Sequence, residues 1–175
     1  MRVIAGSVGG RRLVAPEGAT TRPTPERVRE ATFNALGSLG LVVDATVLDL
    51  FAGSGAMGIE ALSRGAASAT FVDRDAAARR AIETNVAVCG LTAVAEVVAS
   101  PVERYLSTAA GRHWDLALVD PPYDFDGWPD VLLDLPATVA VLESRRPVEP
   151  PFGWEVRRAK RYGRTHVVIA ERIVI

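Results

Sequence analysis

The chain has 175 residues, 49% hydrophobic and 23% charged, a size and balance that fit one globular domain and exclude a chain dominated by disorder. Its single cysteine, Cys89, excludes an internal disulfide framework and a cysteine-built zinc site, no early apolar stretch reads as a secretory signal, and no apolar run approaches membrane-spanning length, so a reducing, cytoplasmic setting is expected. The net charge of −1 conceals an asymmetry: residues 1–30 carry six Arg against three Glu, residues 31–144 six Arg against fifteen acids, and residues 145–175 eight Lys or Arg against three Glu, so two basic ends flank an acidic middle, as expected for a protein whose ends meet a polyanion.

In chain order, RVIAG and RRLVAP around Gly9-Gly10 read as a small hairpin carrying Arg2, Arg11 and Arg12. Thr24 is placed to cap a helix with Pro25 in its first turn; Val28, Ala31, Ala35, Leu36 and Leu39 then recur at helical spacing, and Gly40 can close it. From Ala45 short apolar runs alternate with helical stretches. TVLDLF is a strand; MGIEALSRG a helix ending at Gly65; ATFVD a strand; and Asp75 caps a helix that buries Ile82, Val86 and Cys89 before Gly90. AVAEVVA is a third strand, and SPVE at Ser100–Glu103 has capping-box spacing with proline just inside. WDLALVD and TVAVLES are the fourth and fifth strands, joined across a tight stretch with a helix near Trp128–Leu135. WEVRRAKRY and RTHVVIAERIVI flank Gly163 without an intervening helix and should form an antiparallel hairpin on the sheet edge. The expected architecture is α/β, a mostly parallel sheet with helices on both faces and right-handed crossovers.

Gly53, Gly55 and Gly58 in LDLFAGSGAMG spell G-x-G-x-x-G, and Asp73 follows about twenty positions after the first glycine. The spacing alone suits either a nicotinamide dinucleotide or S-adenosylmethionine, since both offer ribose hydroxyls to an acid at the end of the second strand. Asp49, four residues ahead of Gly53, is unfavourable beside a pyrophosphate and favourable beside an ammonium and a sulfonium. Asp120-Pro121-Pro122-Tyr123 then closes the fourth strand. A D-P-P-Y sequence there resembles the amino-group methyltransferases, as D-x-F-x-G-x-G resembles their first motif. An exocyclic base amine is a poor nucleophile; a carboxylate oxygen of Asp120 and the Pro121 carbonyl can accept its two N–H bonds and aim its lone pair, while Tyr123 stacks on the base. Such a base must be unpaired or flipped out.

RVIAG with GRRL, TRPT followed by RVREATFNAL, LDLFAGSGAMGIEALSRGA, FVDRD and DPPY together resemble the bacterial RsmD-type enzymes. The resemblance implies a Rossmann-like class I methyltransferase fold with a seven-stranded sheet, residues 23–175, preceded by an RNA-binding hairpin extension, residues 1–22. It implies S-adenosylmethionine as cofactor, and as reaction the methylation of N2 of guanine 966 in 16S rRNA of the small ribosomal subunit or an assembly intermediate, by a monomer that needs no metal. Carried over by position, Asp49, Phe51, Gly53, Gly55, Asp73 and Arg74 hold the cofactor, with Asp49 near its amino group and Arg74 beside the adenine. Arg22 and Thr24 close over cofactor or substrate; Asp120, Pro121, Pro122 and Tyr123 hold the guanine; and Arg2, Arg11, Arg12, Arg157, Arg158, Lys160 and Arg161 meet phosphates. Where related enzymes often place an acid near the adenine amino group, this chain reads Ala99-Ser100-Pro101. DNA adenine-N6 methylation and nicotinamide-dependent oxidoreduction are the rival activities, and a non-catalytic RNA-binding factor the rival class. His113, His166 and Cys89 lack partner spacing for a metal or triad and read as structural, whereas Trp128 is a candidate for substrate contact.

Overall fold

The computed structural model describes residues 1–18 and 25–173. Arg22 and Thr24, expected to close over the ligand, lie outside the described residues. Twelve regular elements follow in order: α1 (Glu26–Ser38), β1 (Thr46–Leu50), α2 (Ala56–Ser63), β2 (Ser68–Asp73), α3 (Ala76–Val88), β3 (Ala95–Ala99), α4 (Val102–Thr108), β4 (Trp114–Val119), α5 (Trp128–Asp134), β5 (Ala137–Ser144), β6 (Trp154–Tyr162) and β7 (Thr165–Arg172). The strands form one sheet in the order β3-β2-β1-β4-β5-β7-β6. The first five neighbours are parallel; β7 runs antiparallel to β5 and β6 antiparallel to β7, as the terminal hairpin predicts.

Alternation along the central strands divides the core in two. Val47, Leu116, Leu118, Val139 and Val141 face α1, α2 and α3, whose Phe33, Leu36, Ile59 and Ile82 cover them. Leu48, Leu50, Ala117, Val119 and Leu142 face α4 and α5, whose Tyr105, Leu106, Val131 and Leu132 do the same. Because both faces are covered, β1 and β4 are near-continuous apolar runs, the pattern of a buried parallel strand.

The N-terminal arm makes a single antiparallel bridge, Arg2 with Arg12, and folds onto the first core face through Val3 and Leu13. Glu60 of α2, fully buried, receives the Ile4 and Ala5 N–H groups at 2.8 and 3.1 Å. It also pairs with Arg64 at 2.7 Å and lies 3.8 Å from Arg29 of α1, a buried guanidinium that donates to the Arg2 carbonyl. Gly6 is required by this docking: its φ is +87°, and a Cβ there would stand 1.9 Å from the Ser63 carbonyl oxygen. Asn85 of α3 clips the same layer together, accepting from Val14 N–H and donating to the carbonyls of Val14 and Ser54.

Three local expectations are corrected. The α1 face that points inward includes Arg29 and Thr32, whereas Leu39 is exposed and Ala31 only half-buried, because the arm adds a second wall to that helix. The Ser100–Glu103 capping box does not form: Pro101 itself is the cap residue, and the Ser100 hydroxyl turns to the Pro101 carbonyl. The third strand starts at Ala95, after a 3₁₀ turn over Thr92–Val94. Asp75, by contrast, caps α3 by accepting from Ala77 N–H at 2.8 Å. The tight connection from β4 to β5 closes with the seven-residue α5, and Arg172 of β7 donates to its terminal Leu132 and Leu135 carbonyls, which the short helix cannot satisfy itself.

Candidate active site

The order β2-β1-β4-β5 reverses direction between β1 and β4, so the loops after those two strands diverge and leave a crevice at their carboxyl ends. A cleft of about 660 Å³ opens there, lined by the loop after β1 (Phe51–Ser54), the end of β2 (Asp73–Asp75), the start of α4 (Pro101–Glu103) and the loop after β4 (Asp120–Asp126). The glycine loop and the D-P-P-Y turn thus share one cavity.

The β1 loop begins with Phe51 in the left-handed region, φ +57°, a conformation uncommon for an aromatic residue. Phe51 is held there by an edge-to-face contact with Phe125, 5.2 Å between ring centroids, which in turn packs edge-on against Trp128 at 5.4 Å. Trp128 therefore braces the D-P-P-Y loop from behind and is absent from the cleft lining. Gly53 and Gly55, at φ +58° and +75°, complete the turn. The Gly53 N–H donates to Asp73 Oδ2 at 2.9 Å, while Asp73 Oδ1 accepts from Asp75 N–H, so this carboxylate fixes the loops after β1 and β2 to each other. Arg74 lines the cleft beside it.

Asp49 sits below the loop rather than in the cleft wall. It is 2% exposed and accepts from Gly58 N–H of α2 at 2.9 Å. Burial pushes its carboxyl well above the ordinary aspartate range, the Gly58 N–H opposes that shift, and the neighbouring charges of Asp120 and Asp73 add to it. A carboxyl whose value is raised on folding binds its proton more tightly in the native state, so stability falls as pH rises above the unfolded value. Asp49→Asn keeps an acceptor for Gly58 and removes the titration. The variant is expected to gain melting temperature relative to the parent as pH is raised from about 4 to 8, whereas parallel melting curves at all pH values would show that Asp49 does not titrate in this window.

Beyond β4, Asp120 is half-buried, Pro121 is buried and Pro122 and Tyr123 are exposed, so the turn offers one carboxylate, the carbonyls of a proline pair and an aromatic face. Arg145, just after β5, lies over the Tyr123 ring at 3.6 Å, a cation–π contact that the sequence did not disclose. Among the described residues the cleft carries eight acidic side chains and two arginines, Arg29 and Arg74. Such a lining repels a pyrophosphate and suits a ligand bearing a sulfonium and an ammonium. Glu103, in the first turn of α4, brings an acid to the edge where Ala99-Ser100-Pro101 offers none.

Among the described residues, the basic side chains other than Arg29 and Arg74 lie outside the cleft lining. Arg145 and Arg146 follow β5, and the β6–β7 tip bearing Arg161 and Arg164 projects from the same carboxyl edge, because Ser144 pairs with His166. Arg157, Arg158, Lys160 and Arg161 are all exposed on β6, whose two faces are open beyond Trp154; Arg157 is shared with Glu155 and Glu171. Arg11 and Arg12 are exposed on the arm, while Arg2 pairs with Glu26 at 3.5 Å. His113 bonds the Thr138 hydroxyl and Cys89 is buried, both away from the cleft.

A family model described as "Conserved hypothetical protein 95" matches residues 1–171, nearly the whole chain. The chain belongs to this family, the RsmD-type methyltransferases. It is 46% identical over 125 residues to YlbH of Bacillus subtilis, covering 70% of this chain and 67% of that protein. Over 123 residues it is 42% identical to ribosomal RNA small subunit methyltransferase D of Escherichia coli strain K12, covering 70% of this chain and 60% of that protein. The solved structure of Escherichia coli yhhF superposes with a TM-score of 0.86 at 34% identity, covering 98% of this chain and 97% of that one. The RsmD-type architecture therefore holds across the chain, whereas the sequence match to methyltransferase D spans less than two thirds of that protein's length.

Proposed function

We propose that this chain transfers the methyl group of S-adenosylmethionine to the exocyclic N2 of a guanine, guanine 966, in 16S rRNA of the small ribosomal subunit, acting as a cytoplasmic monomer. The observation that carries the reading is the single cleft shared by the glycine loop and the D-P-P-Y turn. Support for the substrate comes from the relative named ribosomal RNA small subunit methyltransferase D. No helix among the described residues is long and apolar enough to cross a membrane.

The residues fit the cofactor. Gly53 brings bare backbone to the cleft while Gly55 is buried against Ile82 and Phe71, α2 starts without a side-chain cap, and Asp73, Arg74 and Glu103 line the adenosine side. When bound, S-adenosylmethionine supplies an electrophilic methyl group on a sulfonium. Asp73 keeps a lone pair on each oxygen for ribose hydroxyls after serving Gly53 and Asp75. Asp120 and the Pro121 carbonyl accept the amine's hydrogens, orient its lone pair into the cleft and stabilise the positive charge that grows on nitrogen. Tyr123 offers a stacking face at the mouth, half exposed. The acidic interior turns RNA phosphates away, so a single base enters while exposed arginines outside the cleft hold the backbone.

Tritium transfer from labelled S-adenosylmethionine to small subunits lacking the modification tests the reading. Label on guanine N2 is the expected result; label in duplex DNA adenine instead would replace it with the adenine-N6 activity. The N-terminal arm makes a separate prediction. Arg11→Ala with Arg12→Ala is expected to weaken RNA binding and to reduce the slope of log affinity against log salt by up to about two, because fewer counterions are released. An unchanged slope would leave both arginines in solvent.

A further inference from the structure

Glu143 plays no part in the chemistry above, yet it stands inside the cleft. It is 6% exposed, near the end of β5, and lines the same cavity as Asp120 and Tyr123. Register explains its position. Val119 of β4 pairs with Leu142 of β5 and Leu118 with Val141, so Asp120 and Glu143 are the next neighbours across the two parallel strands. Both point to the face shared by Leu118 and Val141, the α1 side, with strand spacing of about 4.8 Å. Two carboxyl groups therefore stand side by side at the cleft floor, on adjacent strands whose backbones are fixed by the ladder.

Guanine presents two adjacent donors on its Watson–Crick edge, the N2 amine and N1–H. Adenine presents an amine beside a bare N1 that can only accept. A second acceptor next to Asp120 thus matches guanine and repels adenine. We propose that Glu143 is a specificity-determining residue, accepting N1–H of the target guanine beside the amine held by Asp120. This rests on the guanine-N2 reading given above. The competing role is structural: Glu143 is near enough to buried Arg29 for its charge to act on that guanidinium, so it could serve only as a counter-charge.

Small subunits reconstituted with guanine or 2-aminopurine at the target position separate the two roles. 2-Aminopurine keeps the N2 amine but has an unprotonated N1. Glu143→Gln turns a pure acceptor into a group that can also donate to that N1. The expected result is a fall of about tenfold or more in the guanine to 2-aminopurine ratio of kcat/KM, carried mainly by RNA KM, with S-adenosylhomocysteine affinity unchanged. Glu143→Asp keeps a negative charge near Arg29 but withdraws the acceptor by one methylene; it is expected to lower kcat/KM on guanine by about tenfold with an unchanged melting temperature, and it decides the matter alone if the glutamine variant does not fold. Equal losses on both bases in the glutamine variant, or a melting temperature that falls in the aspartate variant without loss of guanine kcat/KM, would assign Glu143 to Arg29 alone and overturn the proposal. Absence of N2 methylation by the parent enzyme would instead sink the underlying reading, a result visible before any variant is made.

Discussion

Asp120→Ala is expected to lower methyl transfer to small subunits by about 10²–10³-fold, with affinity for S-adenosylhomocysteine and for RNA changed by no more than about twofold. The size follows from position. Asp120 borders the cleft and is half-buried, so under the proposed reaction it stands where a positive charge would appear on the attacking nitrogen and where water is partly excluded. The glycine loop is secured by Asp73, which accepts from Gly53 N–H, and the helix after it by Asp49, which accepts from Gly58 N–H. Asp120→Asn retains an acceptor and loses the charge, so it should fall between alanine and the parent. Single-turnover rates against RNA concentration separate the reactive step from binding: a drop in the rate at saturating RNA supports the account, whereas a pure rise in RNA KM would reduce Asp120 to a docking group.

Gly58→Ala is expected to cost about 3 kcal/mol of stability, a fall in melting temperature of roughly 6–12 °C, and to weaken S-adenosylhomocysteine binding. A Cβ at position 58 would lie 2.4 Å from Phe71 Cε1 and 3.0 Å from Asp49 Oδ2. Phe71 is fully buried under α2 and α3 and has no room to yield. Relief therefore requires α2 to move off the sheet, which stretches the Gly58 N–H bond to Asp49 and tilts the loop that begins the helix. Thermal unfolding and ligand titration check the two parts, and a variant as stable as the parent would show that the helix can shift freely. The third glycine of the motif is thus a packing residue, while the first two, with positive φ, shape the turn.

The elements of the fold were legible because they rest on local signals. Alternation of short apolar runs with helical spacing located every strand, and the absence of a helix between WEVRRAKRY and RTHVVIAERIVI gave the antiparallel edge. The cleft was legible because its two motifs close β1 and β4, the strands that flank the reversal. What remained hidden is long-range. Glu60 serves Ile4 and Ala5 from 55 and more positions away, and Asn85 reaches Val14 across 71; neither periodicity nor spacing records such partners. Arg29 sat on an inward helical face that an apolar pattern cannot assign to a charged residue; its burial is offset by the carboxylate of Glu60 and by the Arg2 carbonyl of the docked arm. Asp49, carried over by position as a cofactor contact, alternates with Leu48 and Leu50, so period two places it beneath the loop, where it accepts from Gly58 N–H of α2.

The most direct measurement is a crystal structure of the chain with S-adenosylhomocysteine. The account predicts density in the cleft at the switch point, with ribose hydroxyls at Asp73, the amino-acid portion along Gly53–Gly55 and the sulfur facing Asp120–Tyr123. Ligand seated elsewhere, for example against the Pro147–Pro150 segment and β7, or in the cleft with its sulfur turned away from Asp120, would contradict it.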